Sequence, residues 1–192
     1  MTLDEFRSRR AEQKREAILS AAATRFIDNG YDAATIEAIA RDAEVSTATV
    51  YSYFGSKAEL FAAVIERAAE VMRIKPFPDL QSAARTYSDL VASPQLRGLM
   101  RLIIAESGRF PELGEALFER GKAAVYEAFS HAFEAEARAG RIAPQEDWTL
   151  AASQITGMIG QSVLMPWLIT ARDPVRDRYE VADAAAAIFL KE

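Results

Sequence analysis

Thr35, Ser46 and Ser56 each stand just ahead of a short apolar pattern of helical period. A hydroxyl at such a place accepts a hydrogen bond from a first-turn amide that has no partner inside the helix. The three starts predict helices over 36–43, 47–54 and 57 to about 72. Glu59, three residues past Ser56, adds a capping-box pattern. Short helices so spaced can form a helix-turn-helix, in which two helices cross steeply at a tight turn. The sequence supplies what such a crossing needs. Ala40 is the small residue at the close approach, and Ile39, Ala43, Val45, Val50 and Tyr53 occupy inward positions. Glu44 falls in the turn where glycine usually sits. A left-handed residue there without glycine costs roughly 1 kcal/mol.

The rest of the chain also reads as helix. Only 9 glycines occur, and no stretch sustains a two-residue alternation. Ile18, Ala22 and Phe26 mark one face of a helix over 11–29, which Asn29-Gly30 stops. Lys75-Pro76-Phe77-Pro78 interrupts the pattern and marks a domain boundary. Further helices are expected near 79–92, 95–107, 112–138, 147–168 and 175–190. The breaks between them are Ser93-Pro94, Phe110-Pro111, Gly140 to Pro144 and Asp173-Pro174.

Composition excludes several function classes. The chain has 192 residues and no cysteine, so disulfides, thiolate zinc sites and cysteine nucleophiles are out. One histidine, His131, cannot build a multi-histidine metal site. No catalytic residue, metal ligand or cofactor loop is expected: the sequence carries no glycine-rich phosphate loop and no metal spacing. No apolar run approaches the ~20 residues of a membrane span, and the charged N-terminus lacks a signal-peptide core, so a cytoplasmic protein without membrane contact is expected. The formal net charge is −5. Residues 1–75 hold 11 Lys and Arg against 12 Asp and Glu, whereas 76–192 hold 12 against 16. At the end of the N-terminal tail, about 1–11, and the start of the first helix, residues 7–15 carry Arg7, Arg9, Arg10, Lys14 and Arg15 against the single acid Glu12.

The stretch from Thr35 through Phe61, TIEAIARDAEVSTATVYSYFGSKAELF, resembles the DNA-binding domain of TetR-type transcriptional regulators. The run Val-Ser-x-x-Thr-Val-Tyr-x-Tyr-Phe-x-Ser-Lys-x-x-Leu at 45–60 is the specific part, and FIDNGY at 26–31 also fits. The resemblance is strong over about 12–72. Glu106-Ser-Gly-Arg-Phe-Pro-Glu-Leu113 looks like one C-terminal type of the family. The resemblance implies an all-α chain: an N-terminal three-helix helix-turn-helix domain over 1–75, with the motif at 35–54, then a larger helical ligand-binding and dimerisation domain over 76–192. It implies that helix 47–54 enters the major groove of double-stranded DNA and that a dimer spans an inverted-repeat operator, with half-sites about 34–36 Å or a little more apart. Thr35, Tyr51, Tyr53 and Lys57 match positions that hold phosphates; Thr47, Ala48 and Thr49 match positions facing base edges.

The chemistry of these residues agrees. Ser46 opens the reading helix, so its free amides and positive dipole end are available to phosphate. Tyr53 replaces the histidine often found there, and a phenol still donates. The reading helix has no Arg, Lys, Asn or Gln. Its base contacts are therefore expected to be packing of thymine methyls by Ala48 and the threonine methyls, plus single hydroxyl bonds. The basic tail is expected to add affinity from the adjacent minor groove.

The second domain is expected to bind a small-molecule effector, apolar or amphipathic, with Met100, Ile104, Phe118, Ile155 and Gln161 as candidate lining. Gly157, Gly160 and the alanines at 184–187 allow close helix approach, so helices 147–168 and 175–190 are the expected homodimer seam. Repression relieved by the effector is the expected mode. The competing reading is an architectural or partner-controlled DNA-binding protein with no small-molecule effector.

Overall fold

The computed structural model describes residues 3–71, 77–173 and 176–190. Met1 and Thr2 of the tail, the end of the fourth helix at Met72, the break at Lys75-Pro76 and Pro174 lie outside the described residues. Among the described residues the chain is helical throughout, with no strand. The elements are α1 (Leu3–Ala33), α2 (Ile36–Asp42), α3 (Thr47–Phe54), α4 (Lys57–Val71), α5 (Leu80–Ala92), α6 (Pro94–Glu106), α7 (Pro111–Arg138), α8 (Thr149–Ile159), a π-helical turn (Gly160–Leu164), α9 (Met165–Thr170) and α10 (Arg178–Ala187). They form two compact units. The first comprises Met1–Ala68 with Leu102–Leu117, and the second Ala69–Arg101 with Phe118–Glu192.

In the first unit, α1 begins earlier than the sequence suggested. The basic segment is helical from Leu3, not an extended tail. Arg, Glu, Lys, Gln and Ala dominate it, and all favour the helix without supplying an apolar stripe to reveal it. Farther on, Ile18, Leu19, Ala22 and Phe26 are buried. Gly30 then takes φ 78 and ψ 169, which breaks the helix at the Asn29-Gly30 stop. The break turns Tyr31 inward. Its ring lies 5.7 Å from Phe26 and 5.1 Å from Phe61 of α4, and Phe110 closes the cluster at 4.9 Å from Tyr31 and 5.6 Å from Phe61.

The second unit is built around Phe129, Phe133, Ile155 and Ile159, all essentially without solvent exposure. Phe133 stacks on Trp148 at 5.2 Å. Charged pairs fasten α10 to α5: Arg85 forks onto Asp183 at 2.7 and 2.6 Å, and Arg178 reaches Asp89 at 2.7 Å. The helix expected over 147–168 is divided. Pro166 has no N–H to return to the carbonyl four residues back, and the backbone widens into the π turn just before it. Gly160 sits at this turn, and a Cβ there would lie 3.8 Å from the Tyr87 hydroxyl. Burial pushes the Tyr87 phenol up to about 12.

Candidate nucleic-acid interface

The helix-turn-helix is set by caps that the sequence announces. Thr35 Oγ1 accepts from the Ala38 amide at 3.2 Å, Ser46 Oγ from the Thr49 amide at 3.1 Å and Ser56 Oγ from the Glu59 amide at 3.1 Å. Between α2 and α3, Glu44 takes the left-handed conformation, φ 55, as its place in the turn requires. The Val45 amide then bonds back to the Ala40 carbonyl at 2.9 Å and closes the turn. Arg25 of α1 forks onto the Asp42 carboxylate and ties α2 to α1. That bond holds the Asp42 carboxyl below its usual range and raises the Arg25 guanidinium. Val50 and Phe54 anchor α3 in the core.

This packing leaves one face of α3 in solvent. Ala48 and Tyr51 are exposed, and Tyr51 keeps half its surface open; Thr47, Thr49 and Tyr53 are partly covered. The first-turn amides of Thr47 and Ala48 have no carbonyl behind them within the helix. The Thr49 hydroxyl shares a hydrogen bond of 2.8 Å with Ser46, so it belongs to the cap. Gly55, φ 71, ends α3, and its amide donates to the Tyr51 carbonyl at 2.8 Å. The left-handed conformation favours glycine here, because it lets Ser56 start α4 at once.

Lys57 is held more tightly than the sequence indicated. Its ammonium lies 4.6 Å from the Tyr31 ring centre and donates to the Asp32 carbonyl at 3.1 Å. One of three N–H donors is thus used, and two are left for an anion. A side chain in a first helical turn leans back toward the N-terminus, which here is where the end of α1 passes. Sequence reasoning missed the residues that complete this corner. Arg109 Nη1 donates to Asp32 Oδ1 at 2.6 Å, and its guanidinium lies 4.9 Å from the Tyr31 ring. The hydrogen bond from Arg109 to Asp32 raises the guanidinium further. Burial pushes the Tyr31 phenol above its ordinary value, against the pull of Arg109.

Thr35, Ser46, Thr47, Ala48, Thr49, Tyr51, Tyr53 and Lys57 therefore lie together on α2, α3 and the start of α4, within one unit. The five residues expected to line an effector pocket differ in their surroundings. Ile155 is fully buried core, and Met100 is partly buried. Phe118 and Ile104 are exposed, and Ile104 belongs to the part of α6 that packs with the first unit. Gln161 lines a groove of about 430 Å³ with Met158, Val181, Ala184 and Ile188. Helical spacing marks an apolar face but does not say whether that face meets a core, a cavity or solvent. Among the described residues no cluster of His, Asp and Glu could hold a metal ion, and no helix is long and apolar enough to cross a membrane.

A compact helical unit that presents a capped, amide-tipped helix across a tight turn is a helix-turn-helix DNA-binding unit. Comparison with known proteins gives the family. Residues 18–64 match the model of the bacterial regulatory proteins of the tetR family, and residues 78–192 match the C-terminal domain of AefR-like transcriptional repressors. The chain belongs to the TetR family of transcriptional regulators. It is 47% identical over 49 residues to the HTH-type transcriptional regulator HbdR of Aromatoleum sp. (strain CIB), covering 26% of this chain and 21% of that protein. It is 31% identical over 100 residues to the regulator SrpR of Pseudomonas putida, covering 49% of this chain and 47% of that one. These matches thus span between a fifth and a half of the curated relatives. Among solved structures, a TetR-family regulator from Mesorhizobium loti MAFF303099 superposes with a TM-score of 0.78 at 30% identity, covering 93% of this chain and 94% of the other. The flavonoid-responsive regulator FrrA superposes with a TM-score of 0.69 at 28% identity, covering 93% and 95%.

Proposed function

We propose that this TetR-family regulator is a homodimeric repressor that binds an inverted-repeat operator and leaves it when a small apolar or amphipathic effector binds the second unit. The observation that carries the DNA half is the open face of α3. Ala48 and Tyr51 stand in solvent beside a helix N-terminus, and Lys57 keeps donors to spare. Thr35, Tyr51, Tyr53 and Lys57 hold phosphates in this reading; Thr47, Ala48 and Thr49 pack on base edges. With the Thr49 hydroxyl engaged in the cap, its methyl and that of Ala48 make contacts suited to thymine.

The homodimer reading rests on α8, the π turn and α10. Their groove is lined by Met158, Val181 and Ala184, and Ile188 is 69% exposed at its edge. An open apolar strip bordered by small residues suits a two-fold helix seam. The effector reading draws support from the similarity to FrrA, whose name records a response to flavonoids. Such an effector shifts DNA affinity only by binding one dimer conformation better than the other.

The test is selection of bound fragments from random double-stranded DNA at about 150 mM salt, a concentration at which weak non-specific binding is suppressed. A Tyr51→Ala, Lys57→Ala variant serves as the control. An enriched inverted repeat, lost in the control, is the expected result. The selected operator is then titrated with a panel of small planar aromatics that includes flavonoids. Binding that merely fades with salt, with no enriched sequence, would overturn the operator reading. It would favour an architectural or partner-controlled role.

A further inference from the structure

The helical start of α1 places its charges unevenly. Arg7, Arg10 and Lys14 recur at helical spacing, and together with Phe6, Ala11 and Tyr53 they line a cleft of about 460 Å³ beside α3. Among the described residues no carboxylate lines it. At roughly 100° per residue, Glu5 and Glu12 fall about 170° away, on the opposite side of the helix. Arg10 lies over the Phe6 ring at 5.6 Å, so the aromatic side of the cleft is itself covered by a cation. Cations three and four residues apart on one helix face repel one another and weaken the helix. Three cations on one helix face beside the Tyr53 phenol are therefore suited to a polyanion.

We propose that Arg7, Arg10 and Lys14, with Tyr53, hold the DNA backbone just outside the bases read by α3. The proposal rests on the operator reading above and extends it outward by one element. It replaces the expectation of an arm in the minor groove. An α-helix with its side chains is about 10–12 Å across, whereas the minor groove is about 6 Å wide. A helical segment cannot enter that groove and must lie along its phosphate walls. Contacts of this kind add affinity and salt dependence but read no bases.

The experiment compares the full-length protein with an R7A/R10A/K14A variant on the selected operator, by fluorescence anisotropy between about 50 and 300 mM salt. Each phosphate contact contributes about 0.9 to the slope of log affinity against log salt. The expected result is a slope flattened by at least about 2, a loss of affinity of tenfold or more at 150 mM, and an unchanged order of preference among operator sequences. Arg9→Ala, one charge removed from another face, should leave the slope within about half a unit, less than one phosphate contact. Circular dichroism confirms that the helix persists, and R10E provides a second variant should the triple one fail to fold. An unchanged slope, or a change in preferred bases, overturns the proposal. If the wild-type protein selects no operator, the operator reading fails separately, and the same titration on random duplex still reports whether the three cations meet phosphate.

Discussion

Arg109 and Asp32 meet at 2.6 Å although they lie far apart in the chain, and the guanidinium that makes the bond also lies 4.9 Å from the ring of Tyr31. The pair brings the turn after α6 to the end of α1, and Phe110 beside it enters the cluster of Tyr31 and Phe61. Asp32 gives its carboxylate to Arg109 and its carbonyl to Lys57, so one residue serves both cations.

The ring is expected to matter more to stability than the charge. The ion pair is open to solvent, with half or more of each side chain accessible, and such pairs add little. Phe110 fills space between two rings. Phe110→Ala should destabilise the protein by about 2 kcal/mol, below the about 3–5 kcal/mol for loss of a fully buried aromatic ring because the site is partly open. Arg109→Ala should leave the urea midpoint close to wild type. Equal losses from the two variants would contradict this order.

Glu44 offers a stabilising change. It holds φ 55 in the turn between α2 and α3, where an L side chain is strained. Glu44→Gly removes that strain but loosens the unfolded chain. The net gain should be about 0.5–1 kcal/mol, seen as a higher melting temperature. A lower melting temperature would show that the side chain itself supports the turn.

Tyr87 predicts an alkaline limit. Burial raises its phenol from 10.0 to about 12, so the folded state holds this proton more tightly than the unfolded chain does. The contribution is complete below pH 10 and is lost as pH rises through 12, at most about 3 kcal/mol at 1.36 kcal/mol per pH unit. Tyr87→Phe cancels this dependence. The wild-type minus variant stability should therefore fall between pH 10 and 12, and a flat difference would count against a buried phenol.

The groove of α8 and α10 is where the proposed homodimer would be broken. Ile188→Asp puts a charge on its exposed apolar edge, and burial of an unpaired charge in a seam is costly. Light scattering should report a monomer at concentrations where wild type is dimeric. An unchanged dimer would move the seam elsewhere.

The first unit was legible in the sequence because its decisive interactions are local. Thr35, Ser46 and Ser56 bond to amides three residues ahead, and Asn29-Gly30 breaks α1 where it stands. The helical start of α1 was missed because Arg7 to Lys14 favour helix by propensity alone, with no apolar stripe to show it. Pro166 was the overlooked signal for the division of the helix after Ile159. The partners of Arg109 and Phe110 could not be read, since nothing local marks which distant residues a turn will meet. The surroundings of the expected effector lining were illegible for a related reason: Ile155 and Phe118 share an apolar character, yet one is core and the other lies in solvent.

The membership of residues 102–117 in the first unit bears on how regulators of this type can be recombined. A hybrid that joins residues 1–75 to the C-terminal half of another family member carries Tyr31 and Phe61 without Phe110, and carries Asp32 without Arg109. The transplanted reading head then has an open aromatic socket. A foreign C-terminal half will suit it only if its own corresponding turn brings a ring and a cation of the right reach.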